Sequence, residues 1–254
     1  MIEAQDLAIH MDGRRLVSGV SFTVDPGRVL ALAGESGIGK SLVAAALVGM
    51  LPGGAQRGGT LFLDGQAMTD ACLRAVRGRR IALAPQPLSS LDPSARVDDQ
   101  FRWAARRAGL PRMARKAAAA TSLARLGLAA ETCDLYPHHL SGGMARRVLV
   151  GIATVGRPQV LIVDEPTSGL DGACIALVAG DLRRLASDGC AVIVITHDLV
   201  FASRVADAVA VLSPGGFAAP MPALAFTADG ADIPDAHARR LWRATPANGM
   251  TVDA

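Results

Sequence analysis

The stretch "RVLALAGESGIGKSLVAAALVGML", residues 28–51, decides the fold. Arg28–Gly34 is an apolar run of strand length that ends in a glycine turn, and "SLVAAALVGML" has the composition of a buried helix. Between them, "GESGIGKS" (Gly34, Glu35, Ser36, Gly37, Ile38, Gly39, Lys40, Ser41) fits the G-x-x-x-x-G-K-[ST] spacing. The glycines let backbone N–H groups approach an anion closely, at the start of a helix whose dipole favours negative charge. Lys40 is one of only two lysines in the chain, the other being Lys116, although Lys and Arg together number 26. A compact ammonium fits between phosphates in a tight backbone cradle, and a planar guanidinium does not. Strand, loop, lysine and helix together predict a nucleotide phosphate site, with Lys40 on the β- and γ-phosphates and the Ser41 hydroxyl on Mg²⁺.

Working outward, "QVLIVDEP" (159–166) and "CAVIVITHD" (190–198) are near-continuous apolar runs. That pattern belongs to parallel strands covered on both faces. Asp164 ends the first run and is placed to hold Mg²⁺. Glu165 follows it and is placed to orient and deprotonate an attacking water. On its own the Asp-Glu pair would be read as a helix cap; beside a phosphate loop the catalytic reading prevails. His197 ends the second run, on the ligand side of such a sheet, where it is a candidate to bond the γ-phosphate and hold Glu165 in register. A lone histidine there is otherwise structural. Gln86, in "LAPQPLSSLDP", is the weakest candidate, for Mg²⁺ or the water, since a glutamine among prolines is ordinarily loop.

"HLSGGMARR" (139–147) poses a separate question. Its Ser-Gly-Gly leaves backbone N–H groups open to an anion, and the run after it starts a helix. This is a second phosphate-binding helix start in a chain with one apparent nucleotide site.

The remaining sequence sets the frame. A chain of 254 residues is long enough for one large domain or a core with a smaller lobe. A net charge of +3 argues against nucleic acid as a partner. No apolar run reaches the roughly 18–20 residues that span a bilayer. The start, "MIEAQDLAIH", lacks the pattern of a signal peptide, so a cytosolic location is expected. Cys72, Cys133, Cys174 and Cys190 form no close pairs and are expected as reduced thiols. "LAIHM" and "VSFTVDPGR" alternate and predict an antiparallel β portion, and "AVAVLSPGG" predicts a further strand. Between 88 and 156, Ala, Arg and Leu dominate with helical spacing, which predicts a helical subdomain inserted into an α/β core. Arg102, Arg106, Arg107, Arg112 and Arg115 there are expected on a solvated helix face, with a docking face for an acidic partner as the weaker option. The tail after Pro214 shows no second domain.

Phosphate loop, Gln86, "LSGGM", "LIVDEP", "SGLD" (168–171) and "ITHD" occur in this order. The chain thereby resembles the ATP-binding subunits of ABC transporters from about Glu3 to about Leu212. The resemblance implies one ABC nucleotide-binding domain over 1–254: a parallel-sheet core with its antiparallel portion (1–87 and 157–212), a helical subdomain (88–156) and a tail (213–254). It implies ATP and Mg²⁺ as cofactors, with Ser41, Gln86 and Asp164 toward the metal and Glu165, His197 and Gln86 in catalysis. It also answers the question of the second helix start. Two such domains pack head to tail, so that Leu140, Ser141, Gly142, Gly143 and Met144 meet the partner's ATP and Asp171 lies at the dimer seam.

Met144, "QPLSSLDP", "YPHHLSGGMARR" and "HARRLWRATP" resemble the dipeptide, oligopeptide and nickel importer group. The absence of cysteine after Cys190 points to its shorter nickel-type members. The resemblance implies a second, different ATPase subunit, two membrane permease subunits, an external binding protein reached indirectly, and a peripheral place at the cytoplasmic face of the membrane. The expected cargo is nickel, a metal–chelator complex or a short peptide. The alternative is a soluble ABC-type ATPase not coupled to transport. Three features depart from the family pattern: His10 and Met11 stand where an aromatic ring ordinarily stacks on adenine, Pro87 replaces an acidic residue, and "SPGGFAAPMPALAF" after Leu212 lacks the usual acidic-glycine turn.

Overall fold

Two hairpins built on Asp-Gly turns open the chain. β1 (Ile2–Met11) and β2 (Arg14–Val24) pair antiparallel across Asp12 and Gly13, both at positive φ (51° and 74°). Such a two-residue turn matches the twist of the flanking strands. After β3 (Val29–Gly34) and α1 (Lys40–Leu47), β4 (Ala55–Leu63) returns to β1, and the Asp64-Gly65 turn leads into the short β5 (Gln66–Ala67). The four strands form an antiparallel sheet in the order β2-β1-β4-β5. Helix α1 stops before the apolar run does: Gly49 at φ +66° lets its own N–H reach the Ala46 carbonyl and the Met50 N–H reach that of Ala45. This pair of hydrogen bonds around a left-handed glycine ends a helix whatever the hydrophobicity beyond it.

α2 (Asp70–Val76) and β6 (Ile81–Ala84) follow, then three helices in the Ala/Arg/Leu-rich region: α3 (Val97–Arg107), α4 (Arg115–Arg125) and α5 (Gly142–Thr154). The chain then re-enters the core with β7 (Val160–Asp164), α6 (Gly172–Ser187), β8 (Ala191–Thr196), α7 (Leu199–Val205) and β9 (Ala208–Ser213). It finishes with β10 (Gly216–Pro222) and α8 (Ala236–Arg243). This computed structural model describes residues 1–214, 216–227 and 229–245; the parts of the expected tail at 215, 228 and 246–254 lie outside the described residues.

The second sheet runs β10-β9-β3-β8-β7-β6, parallel except for β10 at its edge. Both faces are covered, which is why β3, β7 and β8 are buried at every position. Leu30, Leu32, Ile162, Ile193 and Ile195 pack toward α1 and the antiparallel sheet. Ala31, Ala33, Val163, Val192 and Val194 pack toward the helices on the other side. The tail belongs to this second core: Met221, Phe226, Ile233, Ala238 and Trp242 are buried in it. The Trp242 indole N–H donates to the Thr227 carbonyl, and its ring meets Phe226 edge to face. The Ala/Pro/Gly-rich composition hid this, because a few well-placed aromatics carry the packing. Among the described residues, no helix is long and apolar enough to cross a membrane.

Candidate functional site

Parallel pairing brings the chemistry to one edge. Ala33 on β3 is in register with Thr196 on β8, and Asp164 on β7 with Ile195. The strands therefore deliver Gly34, Asp164, Glu165 and His197 together at their carboxyl ends, where open α/β sheets bind ligands. Gly39 caps α1 at φ +102°, and a Cβ there would stand 2.6 Å from Val17 Cγ2. Only glycine serves at that position.

Lys40 is buried, and its Nζ donates to the carbonyls of Gly34 and Glu35, both at 2.9 Å. Glu165 Oε1 lies 3.7 Å from the same ammonium. Burial pulls the Lys40 pKa below its ordinary value, against the opposing pull of Glu165 and Asp164. Glu165 sits at φ +47°, its N–H donating to the Ile195 carbonyl at 2.8 Å. A side-chain-bearing residue held there carries strain of about 1–3 kcal/mol, the kind that collects at working sites. His197 Nδ1 is 2.8 Å from Glu165 Oε2, and the Thr196 hydroxyl donates to the same oxygen at 3.4 Å. His197 is half-exposed and Glu165 buried, so the imidazole bridges the buried carboxylate to the surface.

Asp164 is buried. Burial raises its carboxyl above the ordinary carboxylate range, and a hydrogen bond from the Ser41 hydroxyl offsets part of that rise. Its Oδ1 has no hydrogen-bond partner. An unused carboxylate oxygen beside a hydroxyl is an all-oxygen donor set of the kind Mg²⁺ accepts when phosphates supply the rest. The residues therefore fit the metal. Among the described residues, no three His, Cys, Asp or Glu side chains cluster as a self-sufficient metal site. The Gln86 side chain, two residues beyond β6, is exposed and is hydrogen-bonded to neither Ser41 nor Asp164; the structure does not bring it to them.

Helix α5 begins at Gly142, two residues before Met144, with Ser141 as its cap: the Ser141 hydroxyl accepts from the Met144 N–H at 3.2 Å. Gly142 and Gly143 face Leu170 and Cys174. Among the described residues, no hydrogen bond or ion pair joins Leu140–Met144 to the phosphate loop. Asp171 is exposed and caps α6, accepting from the Cys174 N–H at 2.7 Å. The side chain that sequence reading passed over is Arg146, a guanidinium 3% exposed whose Nη1 donates to the carbonyls of Pro85 (3.1 Å) and Gln86 (2.7 Å). Helical spacing could have found it: it stands three residues after Gly143 and four before Val150, both buried. His10 lies in β1, half-buried, paired with Arg15 and Gln56. The four cysteines are free, Cys190 buried and Cys72 exposed.

A phosphate loop between strand and helix, a buried carboxylate pair at the next strand ends, and an added helical region define an ATP-binding cassette of the P-loop class. Residues 17–168 match the family described as ABC transporter. An oligopeptide transport ATP-binding protein, OppD, from Mycobacterium bovis is 37% identical over 230 residues, covering 85% of this chain and 37% of that protein. The dipeptide transport ATP-binding protein DppD from Bacillus subtilis is 36% identical over 214 residues, covering 80% of this chain and 63% of that protein. The solved structure of cbiO1 from Clostridium perfringens, part of the ABC transporter complex cbiONQ, superposes with a TM-score of 0.75 at 25% identity. That match covers 87% of this chain and 88% of that one. The chain belongs to the ABC transporter family. It spans less than two thirds of the length of the OppD and DppD relatives.

Proposed function

We propose that this chain binds and hydrolyses ATP to drive an ABC importer, as one of two cassettes that share their nucleotides. The observation that carries the reading is the contact set around Glu165: Lys40 at 3.7 Å and His197 at 2.8 Å, beside Asp164. The Gly34–Ser41 loop and the start of α1 would bind the phosphates through backbone N–H groups. Lys40, freed from its loop carbonyls, would take the β- and γ-phosphates. Ser41 and Asp164, with Gln86 drawn in, would hold Mg²⁺, which when bound supplies charge neutralisation on the phosphates. Glu165 would accept the proton of the attacking water. His197 would hold Glu165 and reach the γ-phosphate. The strain and burial of Glu165 fix its direction in advance, so that positioning and charge do the work.

Among the described residues, no hydrogen bond or ion pair joins the Ser141–Gly143 helix start to the phosphate loop of its own chain. That helix start would meet the γ-phosphate held by the partner cassette, with Asp171 at the seam between the two. The partners would be a second ATPase subunit, two permease subunits and, through them, an external binding protein, placing this chain peripherally at the cytoplasmic face of a membrane. OppD and DppD are named for oligopeptide and dipeptide transport, which favours short peptides over nickel or a metal chelate as cargo. The test is phosphate release from Mg-ATP by the purified assembly, with Lys40→Met in this chain alongside. Loss of ATP binding at this chain's site and of its turnover is expected; undiminished binding by the variant would overturn the reading.

A further inference from the structure

Four charged side chains are buried together at the head of the sheet: Lys40, Asp164, Glu165 and Arg146, each between 3% and 7% exposed. Two are cations and two are anions. The proposed reaction draws Lys40 away to the phosphates, and Arg146 is then the buried cation that remains at this end of the sheet, held by the Pro85 and Gln86 carbonyls. Asp164 and Glu165 both favour its charge against the cost of burial. The same guanidinium grips the backbone of Pro85 and Gln86, where the chain leaves β6 for the helical region. Its Nε and Asp164 Oδ1 are both buried with hydrogen-bonding capacity unused.

Arg146 also stands one helical turn from the exposed Ser141–Gly142 start of α5. A helix is stiff over one turn, so a pull on its first N–H groups reaches Arg146. The next residue, Arg147, behaves differently. Its side chain donates to the carbonyls of Gly143, Leu126 and Gly127 and ties α5 to the end of α4.

We infer that Arg146 is a positioning residue that couples the two nucleotide sites: contact of Ser141–Gly143 with the partner's ATP is transmitted through Arg146 to Gln86 and to the Asp164–Glu165 pair of this chain. The inference rests on the shared-site reading above. An arginine suits the task, because one planar fork grips two carbonyls while presenting its charge to carboxylates.

The experiment uses the complete assembly and measures turnover and KM for ATP with Arg146→Gln, Arg146→Lys and Arg147→Gln in this chain. Arg146→Gln is expected to lower kcat at least tenfold with KM within threefold, and Arg146→Lys to recover at least a third of the lost rate. Arg147→Gln is expected to lower thermal stability more than kcat. In a chain already carrying Ser141→Arg, adding Arg146→Gln should change turnover less than twofold, because the coupled route is already cut. A KM that rises as steeply as kcat falls, a Lys variant as impaired as the Gln variant, or additive effects with Ser141→Arg would overturn the inference. If Arg146→Gln does not assemble, Arg146→Lys decides: a kcat lowered by 1.5- to threefold at unchanged KM supports it, and an unchanged kcat or a loss of tenfold or more refutes it. An unmodified assembly without turnover would refute the hydrolytic reading itself, and this inference with it.

Discussion

Glu165→Gln keeps shape and removes one negative charge from the buried cluster. Two effects follow, in opposite directions. If Glu165 is the general base, its loss should lower kcat by about 10²–10⁴-fold, which is roughly 2.7–5.4 kcal/mol on the barrier. Binding should improve. Glu165 Oε1 is 3.7 Å from Lys40 Nζ; at an effective dielectric constant near 20 that pair is worth about 4.5 kcal/mol of direct attraction. Asp164 and the carbonyls of Gly34 and Glu35 still face Lys40 in the variant, so only part of this is released to the phosphates. A third of it, about 1.5 kcal/mol, would tighten the Kd for ATP roughly tenfold. The assay pairs phosphate release with titration of a fluorescent ATP analogue. Turnover within threefold of wild type would refute the base assignment. Weakened ATP binding would refute the account of what holds Lys40.

Four further outcomes are expected. His197→Ala removes a bond of 2.8 Å to Glu165 and should cost about 10–150-fold in kcat, the worth of roughly 1.5–3 kcal/mol for a hydrogen bond to a charged group; in the Glu165→Gln background it should cost less than threefold, and additive losses would separate the two residues. Gly39→Ala forces a side chain into φ +102° and against Val17 at 2.6 Å, so calorimetry should show a loss of about 2–5 kcal/mol from strain and overpacking together, with ATP binding impaired. Asp164→Asn should raise Tm while abolishing Mg-dependent turnover: burial holds the Asp164 carboxyl above its ordinary value, so ionisation costs the free protein stability as pH rises through that raised value. The gain in Tm should therefore be present at neutral pH and vanish below the ordinary carboxylate range. In alkylation mapping at pH 8, Cys72 should react first, since it is exposed and its pKa is lowered by hydrogen bonding from Thr69. Cys190, buried and pushed up to about 12, should react only on unfolding.

The sheet and the phosphate loop were legible because their signals are local. A buried parallel strand shows itself as an unbroken apolar run, and the loop as glycines and one lysine at fixed spacing. Glu165 meets Lys40 and His197 because β7, β8 and β3 lie side by side in the sheet, an order no single motif spells out. What escaped the sequence depends on contacts between distant segments. Arg146 reads as half of an ordinary Arg-Arg pair until the fold buries it against Pro85 and Gln86. The tail reads as Ala/Pro/Gly-rich until Phe226 and Trp242 meet. The apolar run after the phosphate loop continues past Gly49, so its length overstates the helix, which backbone conformation ends there. Asp171 shows its local role, the cap of α6, and its expected place at a seam needs a second chain to display.

The central claim is that Ser141–Gly143 serve a nucleotide held by another cassette. The direct measurement is photolabelling of the whole assembly with an ATP analogue reactive at its γ-phosphate, using this chain with Lys40→Met so that it holds no nucleotide itself. The account predicts that the peptide Leu140–Arg147 of the variant chain is still labelled, by ATP on the partner. Labelling of that peptide that disappears with Lys40 would contradict it.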